Sequence, residues 1–393
     1  MKYNVATVFS GSINALIGPS QNIKRIYRNK RLFEDYDISL QGPYCPRFNI
    51  ANSTSGKLSI KSYIKKTLKS LLKMTTKGSW ILYKITHVRH ARNSVNELIN
   101  DNINNDLIVF RDIDSAYEYV KKEINIPYIL VLHSDGTNDM FFSGSGYPKL
   151  NNKKYRSTIN EKFETVCRNA SGLLFLSPAA ISNFKSRFSN IDCLYGYYHQ
   201  GLRKPKVTKE YTKDSAITFV CVGTICRRKN QRSLIEAFAL GKTEGARLVL
   251  VGDGEDKNYC TELAASLGVD KKIVFAGSTE NVGNVLAIAD VFVLASYDEG
   301  VPNAAVEAMS FGLPLILSDV GSCKDLIHDN GWLIKPTVDN LVKAIEEAIS
   351  IYPLEKFNNY QSNSLSLYET YYTEESMCRE HAKMYKKVIE ARQ

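Results

Sequence analysis

The sequence predicts a two-domain α/β protein in which each domain holds a parallel sheet covered by helices on both faces. Three observations carry this expectation. The chain has 393 residues, enough for two domains of ordinary size. Short apolar strand-like runs alternate with amphipathic helical runs from the first residues onward. The alternation stops once, in a polar and basic stretch at 201–213, and then restarts.

In the first half, residues 3–9 alternate as a strand, and Ser10-Gly11-Ser12 with Gly18-Pro19-Ser20 form a small-residue loop before a basic helix. Residues 107–110 make a short apolar strand followed by a helix over 115–122. A third strand at 127–132 ends at His133, and a fourth at 173–176 precedes a helix at 179–188. Pro205 and the cluster Arg203, Lys204, Lys206, Lys209 and Lys213 mark the linker. Strands then follow at 217–222, 247–251, 272–275, 291–294 and 315–317, with helices at 233–239, 259–267, 282–287 and 304–310 between them. Two successive open α/β sheets imply two Rossmann-like domains, expected at 1–203 and 204–372 and facing across a cleft. Such sheets bind ligands beyond the carboxyl ends of their strands.

Composition excludes several classes. With 44% hydrophobic and 23% charged residues the chain is neither disordered nor fibrous. No apolar run approaches the ~18 residues of a membrane-spanning helix, and the start runs straight into a strand pattern instead of a secretory signal. The expected location is therefore cytoplasmic. The eight cysteines form no C-x-x-C pair, and some sit in apolar runs such as Phe219-Val220-Cys221-Val222, which fits free buried thiols better than disulfides or zinc. His87 and His90 have H-x-x-H spacing without a cysteine or carboxylate beside them, and are assigned to a basic surface.

The net charge of +10 is local. Residues 38–96 contain eleven Lys and Arg and no Asp or Glu; without them the chain has 40 basic and 41 acidic residues, a net of −1. Lys57, Lys61, Lys65, Lys69, Lys73 and Lys77 step by four, as do Ile60, Ile64, Leu68 and Leu72, joined by Leu71. One helix over 57–77 would carry an apolar stripe beside a lysine stripe, with Trp80 and Tyr83 following. This pattern fits a helix resting on an anionic membrane surface, and equally a helix packed on the core with a solvated basic face. No zinc finger, helix-turn-helix or RNA-binding signature accompanies the lysines, so nucleic acid is not an expected partner.

The most specific stretch for chemistry is 298–314, Asp-Glu-Gly-Val-Pro-Asn-Ala-Ala-Val-Glu-Ala-Met-Ser-Phe-Gly-Leu-Pro. Glu299 lies in a loop shaped by Gly300, Val301 and Pro302, and Glu307 lies in the helix that starts near Asn303. Carboxylates accept hydrogen bonds from hydroxyls, and a helix start offers free N–H groups to an anion, so the pair suits a polyhydroxylated, phosphate-bearing ligand. Upstream, residues 219–231 run from a strand through Gly223-Thr224-Ile225-Cys226-Arg227-Arg228-Lys229 into a helix, placing fixed cations at a strand end. Val251-Gly252-Asp253-Gly254 lacks the third glycine of a dinucleotide fingerprint, so nicotinamide binding is set aside. Residues 272–277, ending at Gly277, fit an ordinary core strand and a base-contacting strand end equally. Asp112 and Asp114 have the D-x-D spacing of some metal sites, but they directly precede a helix, where acidic residues are ordinary caps.

Together these segments resemble glycosyltransferase family 4, whose signature E-x7-E sits within E-G-x-P-N-x-x-x-E-A-M-x-x-G-x-P. The resemblance is dense over about 215–330 and thin over the first domain. It implies the GT-B fold, with a C-terminal helix at 373–393 crossing back onto the first domain. It also implies sugar transfer from a nucleotide sugar, a UDP-sugar being expected, with retention of configuration and without metal or other cofactor. Lys229 matches the diphosphate-binding lysine, while Thr224 stands where many members carry arginine, leaving Arg228 or Arg227 to supply that cation. By the same resemblance Glu299 meets the transferred sugar, Glu307 the ribose, and His133 the donor sugar or reacting centre. Gly18, Gly223, Gly252 and Gly277, with Gly300, Val301, Pro302 and Asn303, are placed around the donor. The expected acceptor is a glycan or lipid-linked saccharide of bacterial surface polysaccharide synthesis, met at the inner face of the cytoplasmic membrane. An epimerase or phosphorylase of the same fold and a silent nucleotide-sugar-binding subunit are the alternatives.

Overall fold

The computed structural model describes residues 2–12, 18–42, 69–101, 104–134, 136, 142, 147–207 and 216–392. The chain divides into two compact units, one of Met1–Tyr198 with Met377–Gln393 and one of His199–Ser376.

The first unit is built on a six-stranded, all-parallel sheet in the order β2-β1-β3-β4-β5-β6. The strands are β1 (Tyr3–Val8), β2 (Tyr36–Gln41), β3 (Leu107–Phe110), β4 (Tyr128–Val131), β5 (Gly172–Phe175) and β6 (Leu194–Tyr197). β3, β4 and β5 are buried along their whole length, which is why they read as unbroken apolar runs. One face is covered by α1 (Gly18–Arg28) and the C-terminal helix α13 (Glu374–Glu390): Met377, Met384, Tyr385 and Val388 pack with Val5, Ile26, Phe33 and Val109. On the other face Val95, Ala116, Phe163 and Phe184 pack against Val8, Phe110 and Leu130. They come from α3 (Arg89–Asn100), α4 (Ile113–Val120), α5 (Lys153–Asn169) and α6 (Pro178–Arg187).

The second unit repeats the plan with the order β12-β11-β10-β7-β8-β9, again all parallel. Its strands are β7 (Ile217–Val222), β8 (Ala246–Val251), β9 (Ile273–Gly277), β10 (Val291–Leu294), β11 (Leu315–Ser318) and β12 (Gly331–Ile334). The helices are α7 (Gln231–Leu240), α8 (Lys257–Ser266), α9 (Val282–Ala287), α10 (Asn303–Met309), α11 (Val338–Ile351) and α12 (Glu355–Tyr371). The boundary falls between Tyr198 and His199, not after Arg203. Leu202 forms a parallel bridge with Thr373, and its carbonyl accepts from the Tyr368 hydroxyl at 3.0 Å, which ties it to the second unit.

The expected single helix over 57–77 lies outside the described residues up to 68, and it does not run through to Lys77. Helical residues 69–73 end in a turn, and α2 (Thr76–Tyr83) starts anew, capped by the Thr75 hydroxyl accepting from Gly78 N at 3.0 Å. A π turn (Lys84–Val88) joins α2 to α3. The seven cysteines among the described residues are free. No helix among the described residues is long and apolar enough to cross a membrane.

Candidate functional site

In an open parallel sheet the crevice forms where strand order reverses. In the second unit that point lies between β7 and β10, so the loops after these strands meet there. The β7 loop brings Arg228 and Lys229; the β10 loop brings Ser296, Asp298 and Glu299. Lys229 Nζ donates to Glu299 Oε1 at 2.5 Å, and the Ser296 hydroxyl donates to the same oxygen at 2.6 Å. Arg228 Nη1 lies 3.6 Å from that oxygen and donates to the Asp298 carbonyl at 2.7 Å. The Glu299 side chain is only 7% exposed and that of Lys229 14%, whereas Arg228 is 49% exposed. A shielded carboxylate–ammonium pair is therefore flanked by an open cation.

Local backbone geometry fixes this arrangement. Asn230 adopts the left-handed region (φ 56°), and its Nδ2 donates to the Ala295 carbonyl at 3.1 Å, which ties the β7 loop to the end of β10. Tyr297 N donates to the Arg228 carbonyl at 2.9 Å. Gly252, at the end of β8, packs flat on the β7 loop: a Cβ there would lie 2.0 Å from the Gly223 carbonyl oxygen. Gly252 N donates to the Gly277 carbonyl at 2.9 Å, which completes the row of strand ends. Thr224 is exposed, and its carbonyl accepts from Gln231 Nε2 at 3.0 Å. Arg227 is exposed too. Pro302 caps α10 without a side-chain hydrogen bond; Asn303 opens the helix, and Glu307, half-buried, lies one turn inside it. Gly300 is exposed and Val301 half-buried in the intervening loop.

His133 and Gly18 belong to the first unit. Gly18 opens α1, and His133 follows β4. Rather than standing free in solvent, His133 has a buried, unpartnered Nε2, and its Nδ1 lies 3.3 Å from the Tyr198 hydroxyl. Burial, and secondarily the Arg111 guanidinium, push its pKa down to about 3. Arg111 is itself buried; its Nη1 donates to Asn22 Oδ1 at 2.6 Å and lies 3.3 Å from His381 Nε2. His381 Nδ1 lies 3.0 Å from the Met377 carbonyl, and burial holds this imidazole well below its ordinary pKa. A neutral His381 with its proton on Nδ1 thus accepts from Arg111, joining β3, α1 and α13.

The reversal point of the first sheet lies between β1 and β3. Next to it is a cavity of about 370 Å³ whose lining includes Tyr83, His87, Arg111, Asp114, His133 and Lys162. Asp114 Oδ1 accepts from the Tyr83 hydroxyl at 2.5 Å and from Lys162 Nζ at 2.6 Å. Asp112 caps α4: Ser115 N and Ser10 N donate to its two oxygens at 2.8 and 2.9 Å. Both aspartates of the D-x-D spacing are thus engaged by protein groups. Among the described residues no cluster of three or more His, Cys, Asp and Glu could hold a metal ion. The assignment of His87 to a basic surface is corrected: it lies inward between Tyr83 and Tyr147, and burial lowers its pKa. Sequence reasoning missed Ser296 and Lys162, since only their spatial partners mark them, and Tyr83, read there as a ring flanking the basic segment, is instead buried against the cavity.

Residues 203–364 match the family described as "Glycosyl transferases group 1". The matched residues lie within the second unit, His199–Ser376. The putative teichuronic acid biosynthesis glycosyltransferase TuaC of Bacillus subtilis is 28% identical over 253 residues, 61% of this chain and 59% of that protein. The chain spans 36% to 59% of the length of the first relatives it matches. Sucrose-phosphate synthase from Thermosynechococcus elongatus superposes with a TM-score of 0.70 at 16% identity, covering 99% of this chain and all of that one. Anabaena HepE, solved in complex with UDP, gives 0.68 at 16% identity over 98% of this chain and all of that one. At these identities the structures define the fold alone: a two-domain α/β chain of the GT-B class.

Proposed function

We propose that this protein is a retaining glycosyltransferase that moves a hexosyl group from a nucleotide sugar, a UDP-sugar first among them, to a glycan or lipid-linked acceptor in bacterial surface polysaccharide synthesis. The observation that carries the reading is the shielded Lys229–Glu299 pair beside Arg228, at the strand-order reversal of a glycosyltransferase domain. TuaC's name points to polysaccharide synthesis, and the UDP in the HepE structure points to a uridine donor.

In this reading the departing diphosphate gains negative charge that Lys229 and Arg228 stabilise. Glu299, held by Ser296 and Lys229, accepts hydrogen bonds from the hydroxyls of the transferred sugar, and Glu307 from those of the ribose. Gly223, Gly252 and Gly277 let backbone approach the nucleotide. His133, kept neutral, is assigned the donor sugar, and Gly18, at the start of α1, is assigned to donor binding by the family resemblance. The acceptor attacks from the face of the leaving group, with a phosphate oxygen taking its proton. No metal enters the scheme, because the cations are side chains. The first unit selects the acceptor, and the site of action is the inner face of the cytoplasmic membrane.

A thermal-shift panel of UDP, GDP and ADP, followed by product analysis with the matching nucleotide sugars, tests this. A nucleoside diphosphate that binds the folded state alone stabilises it by RT ln(1 + [L]/Kd) and so raises the melting temperature. Stabilisation by UDP with transfer to a lipid-linked saccharide supports the reading. Isomerised or released sugar without transfer identifies an epimerase or phosphorylase. Nucleotide binding without turnover identifies a silent subunit.

A further inference from the structure

The lysine stripe expected from sequence is not the most informative part of the basic region. α2 and the π turn have two unlike sides. Leu82, Tyr83 and Val88 face inward and pack with Phe142, Tyr147, Leu150 and Ile159. Ile81 and Ile85 face outward, 50% and 51% exposed, and the preceding helical residues and turn present Leu71 and Met74 at 57% and 66%. These apolar side chains are interleaved with Lys69, Lys77, Lys84 and Arg89, all exposed. Trp80 is half-buried against the inward cluster, with Lys84 Nζ 5.3 Å from its ring centroid.

Tertiary structure adds a second basic segment that sequence separation had hidden. Trp80 packs on Tyr155 with ring centroids 4.8 Å apart, which brings exposed Lys149, Lys153 and Lys154 beside α2. Residues 140–160 contain no Asp or Glu, just as residues 38–96 contain none. The described parts of two acid-free segments, 69–96 and 147–160, thus meet where Trp80 packs on Tyr155.

We propose that this face, formed by Leu71, Met74, Ile81 and Ile85 with the surrounding lysines, docks on an anionic lipid bilayer. Aliphatic groups enter the acyl boundary while lysines meet lipid phosphates, and the clustering of both on one side matches that layered chemistry. The charge complementarity is one-signed across both segments, which sets a bilayer apart from a protein partner of mixed charge. The surface deepens the membrane-borne acceptor reading above. It adds that α2 serves both sides: its outer residues meet lipid while Tyr83 lines the cavity of the first unit.

The test is flotation of the full chain with vesicles of phosphatidylcholine alone or mixed with phosphatidylglycerol, at low and high salt. The wild type floats with the mixed vesicles at low salt. Ile81→Ser/Ile85→Ser lowers the bound fraction at both salt levels. Lys77→Gln/Lys84→Gln lowers partitioning at low salt by about fivefold per charge. Lys271→Gln/Lys343→Gln, exposed lysines of the second unit, leaves flotation unchanged. Failure of the wild type to float, or equal flotation of the isoleucine double variant, overturns the proposal, and so does equal loss in the second-unit control. Sugar transfer to a short soluble acceptor is measured on the same proteins. Transfer without flotation defeats the docking surface alone. Flotation without transfer defeats the transferase reading and leaves the surface standing.

Discussion

Lys229 and Glu299, seventy positions apart in sequence, meet at 2.5 Å, and Ser296 donates to the same carboxylate oxygen. Because both side chains are largely shielded from water, each depends on the other: removing one leaves a charge with little solvent to receive it.

The first prediction separates binding from turnover at this pair. Lys229→Ala loses nucleoside diphosphate affinity more than nucleoside affinity and lowers transfer by about 10²-fold or more, the scale of a lost transition-state stabiliser. Glu299→Gln keeps its shape and much nucleotide affinity while losing most turnover. A double-mutant cycle on melting free energies should return a coupling of about 0.5–3 kcal/mol, as for other side chains in contact. Wild-type transfer rates in either single variant remove that residue from the site.

The second prediction concerns metal. Transfer should persist in EDTA, because Lys229 and Arg228 are the proposed cations at the diphosphate. Activity lost on chelation and restored by manganese or magnesium would return attention to Asp112 and Asp114, now engaged by Ser115 and by Lys162 and Tyr83.

The third prediction follows from the buried imidazoles. His133, at about 3, and His381 and His87, also lowered, are all held below the ordinary value of about 6.5 by burial. The unfolded chain therefore binds more protons below that value, and stability falls as pH drops from about 6.5 toward 3. His133 contributes a slope of up to about 1.4 kcal/mol per pH unit in that window, and His381 and His87 add in the same direction. Melting temperatures measured from pH 7.5 to 5 should decline, and His133→Gln should flatten the decline. A parallel curve for that variant excludes His133 as a contributor.

The fourth prediction contrasts two glycines. Gly252→Ala places a methyl 2.0 Å from the Gly223 carbonyl oxygen, so backbone must move; a loss of about 3 kcal/mol or more is expected. Gly277 has φ 71° with nothing within 4 Å of its missing Cβ, so Gly277→Ala costs only the left-handed penalty of about 1–2 kcal/mol. Denaturant melts of the two variants check the order, and equal losses would sink the close-approach argument.

Much of the fold was legible because the central strands are buried on both faces. β3, β4, β5, β10 and β11 are continuous apolar runs whose burial leaves no polar alternation to confuse them. Three of the four edge strands, β2, β6 and β12, were not assigned: each has partly exposed residues, and Tyr-Asp-Ile-Ser-Leu-Gln or Leu-Tyr-Gly-Tyr lacks the apolar run that marked the fourth, β9, as Ile-Val-Phe. Long amphipathic helices such as α5 and α12 also went unassigned, and their mean surface polarity masks a narrow buried stripe of Phe163 and Val166 or of Phe357 and Tyr368.

Sequence by itself determined the two successive parallel sheets and the candidate donor segments at 223–231 and 298–307, because there the relevant groups are near neighbours along the chain. Only tertiary structure decided which of those groups touch. Ser296 reaches Glu299 through a loop bend, and Lys229 reaches it across two strand ends. His87 turns inward although its neighbours in sequence are basic, because Tyr83 and Tyr147 form a wall for it. Lys162 pairs with Asp114 from 48 positions away. Periodicity records how a segment meets its own sheet or helix face, whereas a side chain's partner depends on which segments the completed fold brings together.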